Sequence, residues 1–427
     1  VLLDSGTHPK KDGRDALPEF DMLTRAPDVL LVTHAHQDHC GSIPYLMREY
    51  PGLKAHATIP TVRIVDRMLH NSVSVMGLLA RERGIRDYPL YEHEDVEYAM
   101  QRFEGHEFDK SFKLPMRLPV EASFRRAGHV LGSASILIKA PDHTIYYTGD
   151  VCETRQELID GFDPLPKDVH VDTLIIESTH GANDLGGVVS YQDEIYRMGV
   201  QMAEVLENGG TVLIPSFALG RTQEVLNFVS RLQEEGLVPN VPVYASGLGR
   251  AVYELYDRFT DYMLPDAILR PLDGYRRIGN VWKPGVVKKL ISKPCIIVAT
   301  SGMMLENTPS ALITEEMVQS TKHGIFFVGY LDSETLGYKL TQASPGDELS
   351  FGIDRPAVPI ALENIQRFSF SAHAPRSALQ GIIEHIKPKN VVFVHGDPEA
   401  IDWMNANTGN GYTTFAPEIG QTITLES

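Results

Sequence analysis

Six consecutive residues, His34-Ala35-His36-Gln37-Asp38-His39, put four potential metal-binding side chains into one short segment and restrict the fold more than any other stretch of the chain. The apolar run from Val29 to Thr33 precedes them and Cys40-Gly41 follows, which places them at the exit of a buried strand. A regular helix or strand would point alternate members apart. A tight strand-to-helix loop instead aims His34 and His36 at one ion and Asp38 and His39 at a second. Imidazole and carboxylate donors suit zinc, and four of them buried together without metal would repel or strand one another. A solvated histidine-rich loop is the bland alternative, and the strand before the run and the glycine after it speak against that reading.

Two further segments fit the same chemistry. Gly128-His129-Val130-Leu131-Gly132 sets a histidine between glycines that allow close backbone approach, and Thr148-Gly149-Asp150 ends an apolar run on a carboxylate. Other apolar, β-branched runs also end in polar residues: Leu174 to Ile176 before Glu177-Ser178, Thr211 to Ile214 before Pro215-Ser216, Ile296 to Ala299 before Thr300-Ser301-Gly302, and Val391 to Val394 before His395-Gly396. Between them lie amphipathic stretches that read as helices, among them Ser42 to Glu49, Thr222 to Glu234, Arg376 to Ile386 and Pro398 to Asn405. In the second of these, Val225, Leu226, Val229 and Leu232 form the apolar stripe, with polar Gln223, Glu224 and Asn227 between them. The alternation is that of an α/β protein, in which ligand sites gather beyond the carboxyl ends of strands. At 427 residues the chain is long enough for two to three domains at about 150 residues each.

At this point the sequence resembles the metallo-β-lactamase superfamily, whose HxHxDH motif, later His, later Asp and final His bind two zinc ions. The resemblance implies that His34, His36 and His129 hold one Zn2+, that Asp38, His39 and His395 hold the other, and that Asp150 bridges them. Asp4, in Leu3-Asp4-Ser5-Gly6, matches an early aspartate that supports the ligand loop without binding metal; read from this sequence alone, it is equally a turn residue before glycine. Ile175-Ile176-Glu177-Ser178-Thr179, Phe370-Ser371-Ala372-His373-Ala374 and Val392-Phe393-Val394-His395-Gly396 resemble motifs A, B and C of the β-CASP nucleases. The resemblance is strongest to the branch that contains the endonuclease subunit of the cleavage and polyadenylation factor. It implies an αββα metallo-β-lactamase sandwich with an inserted α/β β-CASP domain, divided as residues 1–182, 183–360 and 361–427. Two departures stand out: Pro375 occupies a position where the family commonly has aspartate, and the family's opening hairpin is missing because the sequence begins within the LLDSG strand, which suggests a truncated or processed chain.

The expected activity is zinc-dependent hydrolysis of phosphodiester bonds in single-stranded RNA, with DNA cleavage, endonucleolytic or 5′-exonucleolytic action and a homodimer left open. His373 is the candidate general acid, with Glu177 orienting it and raising its pKa; as the bland alternative, His373 is a further ligand or a core residue. Substrate holding is expected of Arg221, at a helix opening after Gly220, and of Ser216, Ser301, Gly302 and Tyr330 near strand ends, although each taken alone reads more readily as a structural residue, Gly and Ser being ordinary in turns. Gly274 to Lys293 carries Arg276, Arg277, Lys283, Lys288, Lys289 and Lys293 with Tyr275 and Trp282 and no acidic residue, which reads equally as a nucleic-acid grip or a solvated basic helix face. Composition bounds these readings. Lys+Arg 39 against Asp+Glu 56 gives a net charge of -17, so a polyanion must be held by a local cationic site rather than a basic surface. No apolar run reaches the roughly 18 residues of a membrane span, and three scattered cysteines offer no disulfide framework, which makes the cytoplasm the expected compartment and excludes a membrane partner. Hydrolysis of a small ester or thioester by the same dinuclear site, and a non-catalytic scaffold role, are the competing functions.

Overall fold

The structure, a computed structural model, describes residues 1–183, 190–352, 355–409 and 411–425. The chain divides into two compact units: the first comprises Val1–Arg155, Ile159–Gly187 and Ala372–Ser427, the second Gln156–Leu158 and Val188–Ser371.

In the first unit, a four-stranded parallel sheet runs in the order Leu2–Leu3, Val29–Leu31, Lys54–Thr58, Phe103–His106. A seven-stranded mixed sheet has the order Thr413–Phe415, Asn390–Val394, Thr173–Glu177, Thr144–Tyr147, Ala134–Lys139, Glu121–Arg126, Phe112–Lys113. Val29 and Leu31 of the first sheet pack with Phe124, Ile136, Ile138 and Tyr147 of the second to form the core between the sheets. The other face of the larger sheet, through Tyr146, Leu174, Ile176 and Phe393, is covered by Leu379, Ile382 and Ile383 of the helix Arg376–Ile386. The helix Ile59–Arg83 covers the smaller sheet. Two sheets face to face with helices outside make the αββα sandwich that the motifs imply. Period-two alternation explains why one strand can serve both cores: Ile175 faces the inter-sheet layer while Leu174 and Ile176 face the helices.

The second unit is built on a six-stranded parallel sheet, ordered Tyr275–Arg277, Val243–Ala245, Ile296–Ala299, Val212–Pro215, Gly324–Phe327, Ile365–Arg367. Both faces are buried: Val212 and Ile214 belong to one core, Leu213 to the other. Parallel strands buried on both sides read as continuous apolar runs, which is how they appear in the sequence.

The helix Arg221–Glu234 is where the polar pattern misleads. Its apolar stripe is buried, but so are Gln223, Glu224 and Asn227, each at most 1% exposed. All three find partners. Gln223 Nε2 donates to the carbonyls of Ala218 and Gly249, and Asn227 Nδ2 to the Gln223 carbonyl and the Tyr253 hydroxyl. Glu224 Oε2 accepts the N–H groups of Glu157 and Leu158 at 2.7 and 2.9 Å. Burial pushes the Glu224 carboxyl up to about 7, against the pull of Arg221 and these two N–H groups. An unfolded glutamate ionises near the ordinary value of about 4.3, so between there and 7 folding takes up a proton and stability falls as pH rises, by at most about 1.4 kcal/mol per pH unit. Glu224→Gln is expected to flatten the pH dependence of the urea midpoint in that window; parallel curves for the two proteins would refute the assignment.

Candidate metal centre

The ligand candidates all lie in the first unit, each at a strand exit. The strand Val29–Leu31 ends ahead of Thr33-His34, and the short helix Gln37–Cys40 turns Asp38 and His39 back toward the same point. Gly6 makes this turn feasible: a Cβ there would lie 1.7 Å from the Asp38 carbonyl oxygen, so no other residue fits under the loop. Gly128, at φ +78°, lets the His129 loop pass the Cys152 carbonyl, 2.2 Å from where a Cβ would sit. Asp150 follows the strand Thr144–Tyr147, and His395 follows Asn390–Val394, which pairs in register with the strand that ends at Glu177.

The donors converge in two groups. His36 Nδ1 lies 3.0 Å from both His34 Nε2 and His129 Nε2, and each of those two lies 3.6 Å from Asp150 Oδ2. His39 Nε2 is 3.3 Å from His395 Nε2 and 3.8 Å from Asp38 Oδ2, while His395 Nε2 is 3.4 Å from that same oxygen. Asp150 Oδ2 also stands 3.4 Å from His39 Nε2, so one carboxylate touches both groups. Zinc bonds of about 2.0–2.1 Å in a tetrahedron require donor–donor edges of about 3.3 Å, and these separations fit. Among the described residues, Asp150 Oδ1 is buried without a hydrogen-bond partner although His395 Nδ1 is 3.4 Å away, as expected of a carboxylate shaped for a cation.

The electrostatics divide along the same lines. Burial, aided by the neighbouring imidazoles, holds His34 and His129 well below the ordinary histidine range, leaving neutral rings with a lone pair to give. For His39 burial acts downward too, but Asp150, Asp38 and Asp4 outweigh it and raise the ring well above that range. Burial likewise opposes and Asp150 and Asp38 favour the charged form of His395, pushed up to about 9.

Around the donors, Asp4 Oδ2 sits 2.8 Å from His39 Nδ1 and accepts the hydroxyls of Thr33 and Tyr147, while its Oδ1 accepts the Thr33 N–H. The turn-only reading of Asp4 gives way to one in which its carboxylate fixes the His39 tautomer, leaving Nε2 to face inward. Asp4→Asn is expected to weaken metal affinity about 10- to 100-fold in a chelator competition with the fold intact; unchanged affinity would leave Asp4 a turn residue.

His373 Nδ1 is 3.0 Å from Glu177 Oε2, and its Nε2 lies 4.0 Å from Asp150 Oδ2. Burial pulls this ring down, but Glu177 and Asp150 prevail and raise it above the ordinary value. Glu177 Oε1 also accepts the Val151 N–H at 2.6 Å, which locks the carboxylate. Pro375 costs no donor here: it caps the helix Arg376–Ile386, and its carbonyl accepts from Ala378 and Leu379. His180, the residue directly after motif A, lies with its ring 6.2 Å from that of His373 in an edge-on contact; only that place in the sequence hinted at this.

The residues expected to hold substrate belong to the second unit. Arg221 opens its helix after Gly220, is 6% exposed, and lies over the Phe370 ring with Nη1 3.5 Å from the Tyr191 hydroxyl. Ser216 Oγ is buried and finds no hydrogen-bond partner among the described residues, and Ser301 Oγ accepts the Leu305 N–H. Gly302 passes against Phe217, and Tyr330 is half exposed with its hydroxyl 3.5 Å from Asp332.

An αββα sandwich with histidines and aspartates converging at its strand exits defines a metal-dependent hydrolase. Three family models match in succession: the metallo-beta-lactamase superfamily over residues 1–179, the Beta-Casp domain over 222–340, and the Zn-dependent metallo-hydrolase RNA specificity domain over 357–417. The chain belongs to the β-CASP nuclease family of the metallo-β-lactamase superfamily. An RNase J-like protein of Methanocaldococcus jannaschii is 29% identical over 93% of this chain and 87% of its own length. Cleavage and polyadenylation specificity factor 73 of Drosophila melanogaster is 29% identical over 93% of this chain, which spans 56% of that longer protein. A crystal structure of a protein of unknown function from Enterococcus faecalis shares the fold, with a TM-score of 0.56 and 16% identity over 98% of this chain and 92% of that one.

Proposed function

We propose that the protein is a ribonuclease of RNA processing or decay, and that His34, His36 and His129 hold one Zn2+ and Asp38, His39 and His395 a second, with Asp150 shared. The convergence of seven donors on Asp150 Oδ2 and its surroundings carries this reading. A divalent pair, when bound, supplies Lewis acidity toward a phosphate oxygen and a nucleophile at neutral pH.

The chain's own residues do the rest. Asp4 and the Ala372 carbonyl, 2.7 Å from His129 Nδ1, orient two of the imidazoles through their outer nitrogens. His373 keeps a proton on Nε2 for the leaving alkoxide, with Glu177 on the opposite nitrogen favouring the charged ring. Two carboxylates in a set of five ligating imidazoles leave the loaded centre cationic, which suits an anionic substrate in a chain of net charge -17.

Circular and 5′-end-labelled single-stranded RNAs, incubated with zinc-loaded protein, test the reading. Cleavage of the circle identifies an endonuclease, mononucleotide release from the labelled end alone identifies an exonuclease, and hydrolysis of a generic thioester with both RNAs intact would overturn the proposal.

A further inference from the structure

The basic stretch 274–293 does not form one helix face. It begins as the edge strand Tyr275–Arg277 of the six-stranded sheet, continues as a loop, and ends in the short helix Val286–Leu290. All six of its cations are exposed, and among the described residues only Lys288 makes an ion pair, with Glu316 at 3.8 Å. Its loop is anchored from below, because Val281 is 6% exposed in the same core as Ala299 and Met304. On top of that anchor Trp282 is 52% exposed, although its indole N–H donates to Asn307 Oδ1 at 3.1 Å. Asn307 lies in the loop that follows the strand Ile296–Ala299, so this bond places the indole at the carboxyl edge of the sheet, the edge that also carries Ser216 and Ser301. A large aromatic pinned by its edge with its ring left open, flanked in sequence by Arg277 and Lys283, has no packing purpose that the core explains.

We infer that this edge is a holding site for single-stranded RNA, in which the Trp282 indole stacks on a base while Arg277 and Lys283 engage phosphates on either side. Stacking needs a rigid, accessible ring and tolerates any base, and the hydrogen bond to Asn307 supplies the rigidity without covering the ring. The charge contrast selects a polyanion: six exposed cations, of which only Lys288 is ion-paired among the described residues, stand out on a chain of net charge -17. The inference rests on the nuclease reading for its choice of RNA, and it adds a site whose residues are separate from the metal donors.

The test uses the zinc-loaded chain and an oligouridylate of about 12 nucleotides, within the span one such platform can engage, with the intact oligonucleotide verified by gel at every point. The chain has two tryptophans, Trp282 and Trp403, so intrinsic emission is readable. Saturable quenching is expected in the natural sequence and its loss in Trp282→Phe, while Trp282→Ala weakens binding at least about fivefold. Arg277→Ala should flatten the slope of log affinity against log salt by about 0.7, whereas Lys293→Ala, at the amino edge of the sheet, should not change it. Quenching that survives Trp282→Phe, unchanged affinity in Trp282→Ala, or equal quenching by polyglutamate would overturn the inference, the last indicating an acidic protein partner. RNA cleavage, followed in separate and longer incubations of the same protein, separates the two claims: a chain that cleaves RNA with a silent Trp282 refutes this site alone, and one that is quenched but never cleaves refutes the nuclease reading alone.

Discussion

His36→Ala is expected to lose bound zinc and RNA cleavage together, with activity down about 10³-fold or more because a catalytic metal contributes several kcal/mol to the barrier. His36 Nδ1 is the atom that both His34 Nε2 and His129 Nε2 approach at 3.0 Å, so its removal opens one corner of the first donor group. Zinc content per chain by elemental analysis, read beside the cleavage rate, checks this. His170→Ala, which removes an exposed side chain whose ring nitrogen lies 3.0 Å from Asp172 Oδ1, should change neither quantity. A His36→Ala protein that keeps its full zinc complement and cleaves RNA would end the ligand assignment.

His373→Ala should behave differently, retaining zinc while losing about 10² to 10⁴ in cleavage rate, the range for removing a positioned general acid. Glu177→Gln should produce a smaller loss of the same kind, since the amide still accepts the Val151 N–H but no longer favours the charged ring. The geometry also offers a rival: Asp150, Glu177, His373 and His395 form a cluster that could itself hold an ion. Zinc content decides between them, because a ligand His373 takes an ion with it when removed and a general acid does not.

Much of the centre was legible in the sequence because its densest part is local. His34 to His39 fall within one turn after a strand, and Asp150 and His129 announce themselves through adjacent glycines, which adopt positive φ in the structure. What could not be read is what depends on distant pairing. The contact of Asp4 with His39 requires the Leu2–Leu3 strand to lie beside Val29–Leu31, and the approach of His180 to His373 requires motif B to return to the first unit. Polarity alone misjudged the helix Arg221–Glu234, whose Gln223, Glu224 and Asn227 are buried because each satisfies backbone or hydroxyl groups that no local pattern reveals. The basic stretch failed as a helix for a related reason: Tyr275 to Arg277 joins the edge of a sheet whose other strands lie up to about a hundred residues away.

The strand Asn390–Val394 sits inside the seven-stranded sheet, hydrogen-bonded on one side to Thr173–Glu177, and delivers His395 to donors encoded more than two hundred residues earlier. During synthesis the ribosome therefore releases six of the seven donors long before the last. A nascent chain, or one terminated early by a damaged message, cannot complete the second donor group, so under the proposed ligand assignment nuclease activity is expected only after translation has passed that strand.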